Sequence, residues 1–491
     1  MIKPDFTTFD QLSKQGSLVP VFMEIPADLD TPLSAFLKID DSPASFLLES
    51  VEGGERWARY SCLGADPRLI VRSKGKRAEI IRDGQKESVP GISDPTRLIK
   101  EIMEQYRGVR VPGLPDFYGG AVGFLSYDVV RDFERLPDLG KPDPGFYDAW
   151  FMITRDMVMF DNFSHKLLLI TTVAPAEVSS LKSGYTDACF RLEHLREQIA
   201  RQASRAILHP EAQQEMVLSS NMEPVEFEEM VLRAKDYIRA GDIIQVVLSQ
   251  RFQGVASIEP LSIYRGLRMI NPSPYMFFLR MGDEVLAGSS PEVMVRSRNG
   301  EAVVRPIAGT RPRGISRSED ERLEKELLAD AKELAEHVML VDLARNDLGR
   351  IAEPGTVTVD AFTTVERYSH VMHMVSNVRA RLANGYDSFD LLRACFPAGT
   401  LSGAPKIRAM EIIEELEPAR RGPYGGCVGY FSFTGAMDTG ITIRTVMMKG
   451  SQVYLQAGAG IVADSVPALE YQETMKKAEA MRKALTEAQG F

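Results

Sequence analysis

Two pairs of glutamates have a spacing that suits metal binding from helices. Glu333 and Glu336 are three residues apart, so they share one face of a predicted helix. The apolar run at 338–341 indicates that this helix is buried, and a buried carboxylate needs a cation or a hydrogen-bond donor. Glu470 and Glu473 repeat the spacing near the C-terminus. Two such pairs can hold Mg²⁺, which prefers oxygen ligands. Exposed or salt-bridged glutamates are the alternative.

Other residues suit the binding of a small anion. Arg444 lies in the apolar segment 440–446, a predicted strand in which a guanidinium needs a carboxylate, either from a ligand or from an aspartate of the chain. Gly458 and Gly460 would let backbone N–H groups approach a ligand closely. Thr400 precedes a predicted helix, where it can reach a ligand or act as an N-cap. His373, between apolar residues, is either catalytic or a satisfied core histidine.

The elements that position these residues indicate an α+β fold. Residues 226–240, 319–347, 405–416 and 466–488 have helical periodicity, whereas 242–252, 426–433 and 439–448 are typical of strands. Strands are also predicted at 45–48, 69–71 and 157–160. Since helices and strands do not alternate strictly, we expect large, mainly antiparallel sheets with helices outside them.

Three regions are predicted: an N-terminal region at 1–205, a linker at 206–225 and a catalytic domain at 226–491. The two halves are expected to be interleaved, because they can exchange strands. Residues 118–124 resemble residues 424–430. This similarity indicates either two glycine-dependent turns into strands or an old duplication, and one heptapeptide does not decide between them.

The composition of the chain argues against some classes of binding partner. The chain has 491 residues, 44% of them apolar, and a net charge of −10. An acidic protein is not expected to bind nucleic acid or an anionic membrane. The first ten residues lack a basic start followed by an apolar run, so no signal peptide is predicted. The four cysteines are scattered, which favours a reducing, cytoplasmic location. Motifs for nucleotide phosphates or a serine nucleophile are missing.

Together these segments resemble the chorismate-utilising enzymes, and within them the anthranilate synthase component I branch. The matching blocks, in chain order, are 47–50, 271–276, 306–314, 336–347, 399–406, 424–426, 456–460 and 464–474. The resemblance is nearly continuous from about residue 226 to the C-terminus and thinner before it. It implies the α+β fold of that family and Mg²⁺-dependent chemistry on chorismate.

The resemblance also implies a role for each matching residue. Glu336 and Glu473 correspond to direct Mg²⁺ ligands, with Glu333 and Glu470 behind them. His373 and Thr400 correspond to residues near the C4 hydroxyl that leaves, and Gln245 to the position that determines the nucleophile. The residues implied to bind chorismate are Gly309, Thr310, Tyr424, Arg444, Gly458, Gly460 and Lys477.

Two positions indicate which reaction the chain performs. Relatives that add water at C2 have a lysine base where this chain has Gln245, and those that make 4-aminobenzoate precursors have a nucleophilic lysine where it has Ala308. The resemblance therefore implies that ammonia attacks C2 and that pyruvate is then eliminated, giving anthranilate. Acid assistance to the departing hydroxyl is expected from His373 or from the metal. Ammonia is expected from a separate glutamine amidotransferase subunit, in a heterotetramer of two large and two small subunits.

A feedback site for tryptophan is implied between the halves. Its expected residues are Leu48, Glu49, Ser50, Asn271, Pro274, Tyr275, Met276, Val428 and Tyr430. Glu49 is expected to bind the ammonium group. An ordinary core strand that ends at a polar turn is the alternative for residues 47–50. Three other functions remain open: 4-amino-4-deoxychorismate synthesis, arrest at the aminated intermediate, and a non-catalytic regulator that binds tryptophan.

Overall fold

A computed structural model describes residues 1–50, 59–202, 216–368 and 371–490. The strands in chain order are β1 (Ile2–Lys3), β2 (Val19–Pro26), β3 (Ala44–Glu49), β4 (Tyr60–Ala65), β5 (Leu69–Lys74), β6 (Arg77–Arg82), β7 (Gln85–Pro90), β8 (Gly120–Leu125), β9 (Ala149–Ile153), β10 (Asp156–Asp161), β11 (Lys166–Val173), β12 (Ser219–Ser220), β13 (Gln245–Val255), β14 (Tyr275–Met281), β15 (Glu284–Ser290), β16 (Val293–Arg298), β17 (Glu301–Val304), β18 (Ile307–Pro312), β19 (Thr358–Arg367), β20 (Val371–Arg381), β21 (Gly403–Ala404), β22 (Cys427–Ser432), β23 (Met437–Ile441), β24 (Thr445–Lys449) and β25 (Gln452–Ile461).

The helices are α1 (Phe6–Leu12), α2 (Pro32–Ile39), α3 (Pro95–Glu104), α4 (Val130–Phe133), α5 (Leu181–Ala200), α6 (Pro224–Ala240), α7 (Pro260–Ile270), α8 (Arg317–Ala329), α9 (Ala331–Gly349), α10 (Ser388–Cys395), α11 (Gly399–Ser402), α12 (Lys406–Leu416) and α13 (Pro467–Ala488). Over the described ranges, no helix is long and apolar enough to span a bilayer.

Two large antiparallel sheets form the centre of the fold, as predicted. The first has the order β1-β2-β11-β10-β4-β3-β14-β15-β24-β25-β13-β12, with β21 also on β13. The second has the order β18-β20-β17-β16-β23-β22-β8-β9-β5-β6-β7, with β19 also on β20. In each sheet, strands from the N-terminal and C-terminal parts of the chain meet at one central pair. The prediction of two interleaved halves is therefore confirmed.

Neighbouring residues of a strand reach opposite faces of the first sheet. Leu47 packs in a core with helices α1, α2, α5, α7 and α13, whereas Leu48 packs against a core that holds apolar side chains from both sheets. This alternation is the period-two pattern of a strand buried on both faces. The sheets thus pack against each other, and helices cover the far side of the first sheet.

The strand order is symmetric about the central pairs β3–β14 and β8–β22. The two similar segments found in the sequence lie on the second pair, where Gly123 is opposite Gly429. Residues 64–73 and 288–297, which enter β5 and β16, also share the pattern Gly-x-x-Pro-x-x-x-Val-Arg-Ser. Equivalent strands at equivalent places in both sheets favour the duplication interpretation.

Two elements that were predicted to be continuous are each divided into two, so these predictions were wrong. The helix predicted at 319–347 is two helices, because Asp330 is extended and its carboxylate accepts hydrogen bonds from the N–H groups of Lys332 (3.1 Å) and Glu333 (3.2 Å), which starts a new helix. The strand predicted at 439–448 is two strands, β23 and β24, because Arg444 has a left-handed φ of 48°.

The predicted domain borders stay predictions. Residues 206–215 of the predicted linker lie outside the described residues. Of the remainder, Ser219–Ser220 pair with β13 as β12, and α6 begins at Pro224.

Candidate active site

Strands β13 and β25 lie side by side and carry three of the predicted site residues. Gln245 is the first residue of β13, and Gly458 and Gly460 lie on β25. The amide nitrogen of Gln245 donates to Glu336 Oε1 at 3.2 Å. A Cβ at Gly460 would lie 2.5 Å from that nitrogen, so a larger residue there would displace the amide of Gln245. The structure therefore brings the nucleophile-determining residue and a predicted metal ligand into contact.

The four predicted metal ligands lie on α9 and α13. Burial raises the pKa of Glu336, and the nearby carboxylates of Glu333 and Glu473 raise it further. Burial likewise raises the pKa of Glu470, with a contribution from Glu473. The two helices thus direct their acidic residues toward a common region, because carboxylates repel one another only at short range.

Two of these glutamates are paired with cations of the chain. Glu333 accepts from Arg311 at 3.2 Å, and Glu473 pairs with Lys477 at 2.7 Å. Within the described ranges, no three acidic, histidine or cysteine side chains lie close enough together to hold a metal ion. Salt bridges, the alternative to metal binding, are therefore present at two of the four glutamates. The donor set nevertheless fits Mg²⁺ in kind, since it consists of oxygen ligands whose mutual repulsion a divalent cation would relieve.

Arg444 lies between β23 and β24 and is mostly buried. Its guanidinium makes no hydrogen bond or ion pair with the described residues, and burial lowers its pKa while the carboxyl of Glu292 raises it. A carboxylate is the ligand that the planar geometry of such a guanidinium matches. Of the two interpretations from sequence, ligand or intramolecular aspartate, the structure favours the ligand.

Glu292 is a site residue that the sequence analysis missed. It follows β15 in the segment Ser290-Pro291-Glu292, and Thr400 Oγ1 on α11 donates to its Oε1 at 2.7 Å. Burial raises the pKa of Glu292 to about 7, although Thr400, Arg444 and Lys477 each lower it. A carboxyl with such a pKa can donate a proton near neutral pH. An acidic residue directly after an apolar strand was the only signal in the sequence.

Tyr424 and Lys477 contact β25, the strand that carries Gly458 and Gly460. A Cβ at Gly458 would lie 2.8 Å from Tyr424 Oη, so the phenol rests on the backbone there. Lys477 Nζ donates to the carbonyl of Gly458 at 2.9 Å. Burial raises the pKa of Tyr424, which therefore stays a neutral hydrogen-bonding group. The structure places both residues around Gly458, as expected for one binding region.

His373 lies on β20 opposite Thr310 of β18. Its Nδ1 is 3.0 Å from the carbonyl oxygen of Gly309 and 3.1 Å from Thr310 Oγ1. A carbonyl only accepts, so the proton is on Nδ1 and Nε2 is a lone-pair acceptor. Burial lowers the pKa of His373, and the charge of Arg444 lowers it too. The imidazole is thus neutral, which makes Glu292 a better candidate for the acid than His373.

The predicted feedback residues lie on both faces of the first sheet and, for Val428 and Tyr430, on β22 of the second sheet. Glu49 is opposite Met276 in the β3–β14 pair, and both side chains face the helices. Glu49 accepts from Tyr264 and from Arg268 Nε, the latter at 3.2 Å. An ammonium group at Glu49 would therefore join an existing pair with Arg268.

The two aromatic residues of the predicted feedback site lie on different sheets, Tyr275 on β14 of the first and Tyr430 on β22 of the second. Tyr275 donates to Asp438 at 2.7 Å and lies against Gly440. Tyr430 stacks on Phe117 with ring centroids 3.8 Å apart. The remaining predicted residues are Leu48 and Val428, which pack in the core between the sheets, Asn271, which donates to Ser289 at 3.3 Å, and Ser50 and Pro274, which flank the ends of β3 and β14. The structure thus gathers these residues around the β3–β14 junction, but not on one face.

Comparisons with known proteins identify the family of the chain. The family model of chorismate binding enzymes matches residues 47–483. The chain is 47% identical to anthranilate synthase component 1 of Acetivibrio thermocellus, over 99% of both chains. It is 48% identical to the Pseudomonas aeruginosa protein of that name, over 98% of both.

Solved structures give the same result. Anthranilate synthase component I from Streptococcus pneumoniae superposes with a TM-score of 0.76 at 36% identity, covering 93% of this chain and 99% of that one. The menaquinone-specific isochorismate synthase of Escherichia coli shares the fold, with a TM-score of 0.71 at 19% identity and coverage of 98% and 99%. The chain therefore belongs to the family of chorismate-binding enzymes.

Proposed function

We propose that this chain is the chorismate-binding subunit of an anthranilate synthase. The observation that carries the proposal is Gln245, a buried amide held by Glu336 where a water-adding enzyme needs a base. An amide cannot deprotonate water, whereas ammonia is already a nucleophile. Ala308, which is buried on β18, likewise offers no covalent nucleophile.

The two carboxylates of chorismate match two regions of the site. Arg444, with Tyr424 and the backbone at Gly460, suits the enolpyruvyl carboxylate, because the guanidinium has no partner in the described chain. Glu336 and Glu473, supported by Glu333 and Glu470, would hold a magnesium ion. When bound, that ion would neutralise the ring carboxylate and polarise the ring.

Glu292 and Thr400 carry the proton transfer in this proposal. Ammonia adds at C2, the double bond shifts, and the C4 hydroxyl leaves as water after taking the proton of Glu292. The ammonium group formed at C2 then loses one proton, and Glu292 returns to its acid form by taking up a proton. Thr400 orients that carboxyl through its 2.7 Å hydrogen bond. His373, with a free Nε2, can accept a hydrogen bond from the hydroxyl. Loss of pyruvate from the aminated intermediate then gives anthranilate.

Ammonia would be supplied by a separate glutaminase subunit. The relatives carry the name component 1, which implies a second component. Thiol chemistry on this chain is disfavoured, because burial raises the pKa of Cys427 to about 12 and also raises the pKa of Cys62, Cys189 and Cys395. The proposal also includes an assembly of two large and two small subunits, inhibition by tryptophan and a cytoplasmic location. The four unpaired cysteines support that location.

Fluorescence of anthranilate tests the function directly. The purified chain with chorismate, Mg²⁺ and ammonium at alkaline pH should form anthranilate, and both EDTA and tryptophan should suppress the signal. Glutamine in place of ammonium should give none until the second subunit is added. Consumption of chorismate without fluorescence would indicate the 4-aminated or the arrested product and would refute the role of Gln245.

A further inference from the structure

Arg421 is one of the largest fully buried side chains, at 1% exposure. Its guanidinium donates to both carboxylate oxygens of Glu417, at 2.9 and 2.6 Å. The remaining donors reach the carbonyls of Leu401 (2.6 Å) and Val247 (2.8 Å). A buried ion pair contributes little net stability, so such complete bonding calls for another explanation.

Three contacts of Arg421 reach segments that carry a proposed site residue. Leu401 directly follows Thr400, and Val247 lies two residues after Gln245. The centroid of the Tyr424 ring is 5.8 Å from the guanidinium. One side chain thus links the acid-orienting residue, the nucleophile-determining residue and a substrate-binding phenol.

Glu417 links the same pair of side chains to β13 and, through it, to β25. Its Oε1 accepts from the backbone nitrogen and from the hydroxyl of Ser249, both at 2.8 Å. Ser249 is opposite Gly458 in the β13–β25 pair, and it receives a 2.9 Å hydrogen bond from the amide of Gln456. The pair therefore lies directly behind the strand on which Tyr424 rests.

Residues from the N-terminal part of the chain pack against the other side of Arg421. The ring of Tyr127 lies 4.6 Å from the Arg421 guanidinium, and its backbone nitrogen donates to the carbonyl of Gly422 at 2.8 Å. Asp128 accepts from the nitrogen of Gly422 at 2.8 Å. The loop that carries Arg421 is thus held between both halves of the fold.

We propose that the Arg421–Glu417 pair is a positioning unit for the active site. It touches no substrate; it holds Thr400, Gln245 and Tyr424 in fixed relation, so that the proton donor, the nucleophile and the carboxylate-binding group act on one chorismate molecule. The inference rests on the proposed function. Small displacements of such groups have large effects on rate, because the reaction depends on aligned atoms.

Arg421→Lys keeps the charge opposite Glu417 and tests positioning through KM. Lysine is a point donor that cannot also reach both carbonyls. We expect the KM for chorismate to rise about tenfold and kcat to fall about tenfold or more. The thermal midpoint should also fall, because buried carbonyls that lose their donor are destabilising. Arg420→Lys is the matched control, since Arg420 pairs with Asp138 outside this unit.

The double variant Arg421→Met with Glu417→Leu removes both buried charges and keeps the proposal testable if Arg421→Lys folds poorly. It should fold, because paired charges can be replaced together by apolar groups, and it should show the same rise in KM. A purely structural pair predicts fewer active molecules, and thus a lower kcat at unchanged KM. An unchanged KM in either folded variant overturns the proposal, whereas failure of the wild type to form anthranilate refutes the proposed function instead.

Discussion

Replacing Glu292 by glutamine should make the protein more stable and less active at the same time. The carboxyl is buried and has a pKa of about 7, against an ordinary value of 4.5. Below pH 4.5 it is protonated in both the folded and the unfolded chain, so it has no effect. Between pH 4.5 and 7 only the unfolded chain releases the proton, and stability falls as the pH rises.

The size of the effect follows from these two values. At pH 8 the penalty in the folded state is about 3 kcal/mol, since one pKa unit corresponds to 1.36 kcal/mol. At pH 5 it is below about 1 kcal/mol. Glutamine carries no charge at either pH, so Glu292→Gln removes the penalty. The variant also lacks the proton donor, and kcat should fall about 10²- to 10⁴-fold.

Urea unfolding at pH 5 and pH 8 measures the difference. The variant should gain stability over the wild type at pH 8 and much less at pH 5. Glu301→Gln, an exposed carboxylate on β17, controls for the loss of one negative charge. If the difference in stability between the variant and the wild type were the same at both pH values, the raised pKa of Glu292 would be refuted. Undiminished turnover would refute its role as the acid.

Three further substitutions test other parts of the site. Gln245→Lys should lower anthranilate formation about a hundredfold, because an ammonium group would pair with Glu336; chromatography of the products would show whether water is added instead. Arg444→Gln should raise the KM for chorismate about ten- to a hundredfold without lowering the thermal midpoint, because the guanidinium has no ion pair within the described chain; wild-type KM would count against carboxylate binding there. Ser50→Phe should abolish inhibition by tryptophan and keep turnover within about twofold, as measured by titrating tryptophan into the fluorescence assay; unchanged inhibition would remove Ser50 from the feedback site.

Local patterns were enough to predict about a quarter of the elements. Alternation and apolar runs identified β3, β5, β10, β13 and β22, and the periodicity of α6, α12 and α13 gave their positions within a few residues. The errors came from single residues that override a pattern. Asp330 caps a new helix within an otherwise helical sequence, and Arg444 adopts a left-handed conformation within an apolar run. Periodicity does not register either effect.

The site was predictable where a motif marks it and not where packing creates it. Gln245, Tyr424 and Gly458 were named through the resemblance, and the structure brings them together. Glu292 has no unusual neighbours in sequence; its raised pKa comes from burial, and the groups that act on it, Thr400, Arg444 and Lys477, are all far along the chain. Arg421 looks like one of several arginines after a helix, and only the fold shows that four segments converge on it.

The duplicated architecture accounts for the presence of the proposed proton donor in one half only. In the shared pattern, the position of Glu292 in the C-terminal copy is held by Arg68 in the N-terminal copy. Arg68 pairs with Glu177 and donates to the carbonyl of Thr172 at 3.0 Å, so this position carries an ion pair and no proton donor. The N-terminal copy supplies Glu49 at the β3–β14 junction, where the proposed feedback site borders the strands that carry the active site. A binding site at the seam between the two copies can affect catalysis through β14 and β15, because β15 leads directly to Glu292.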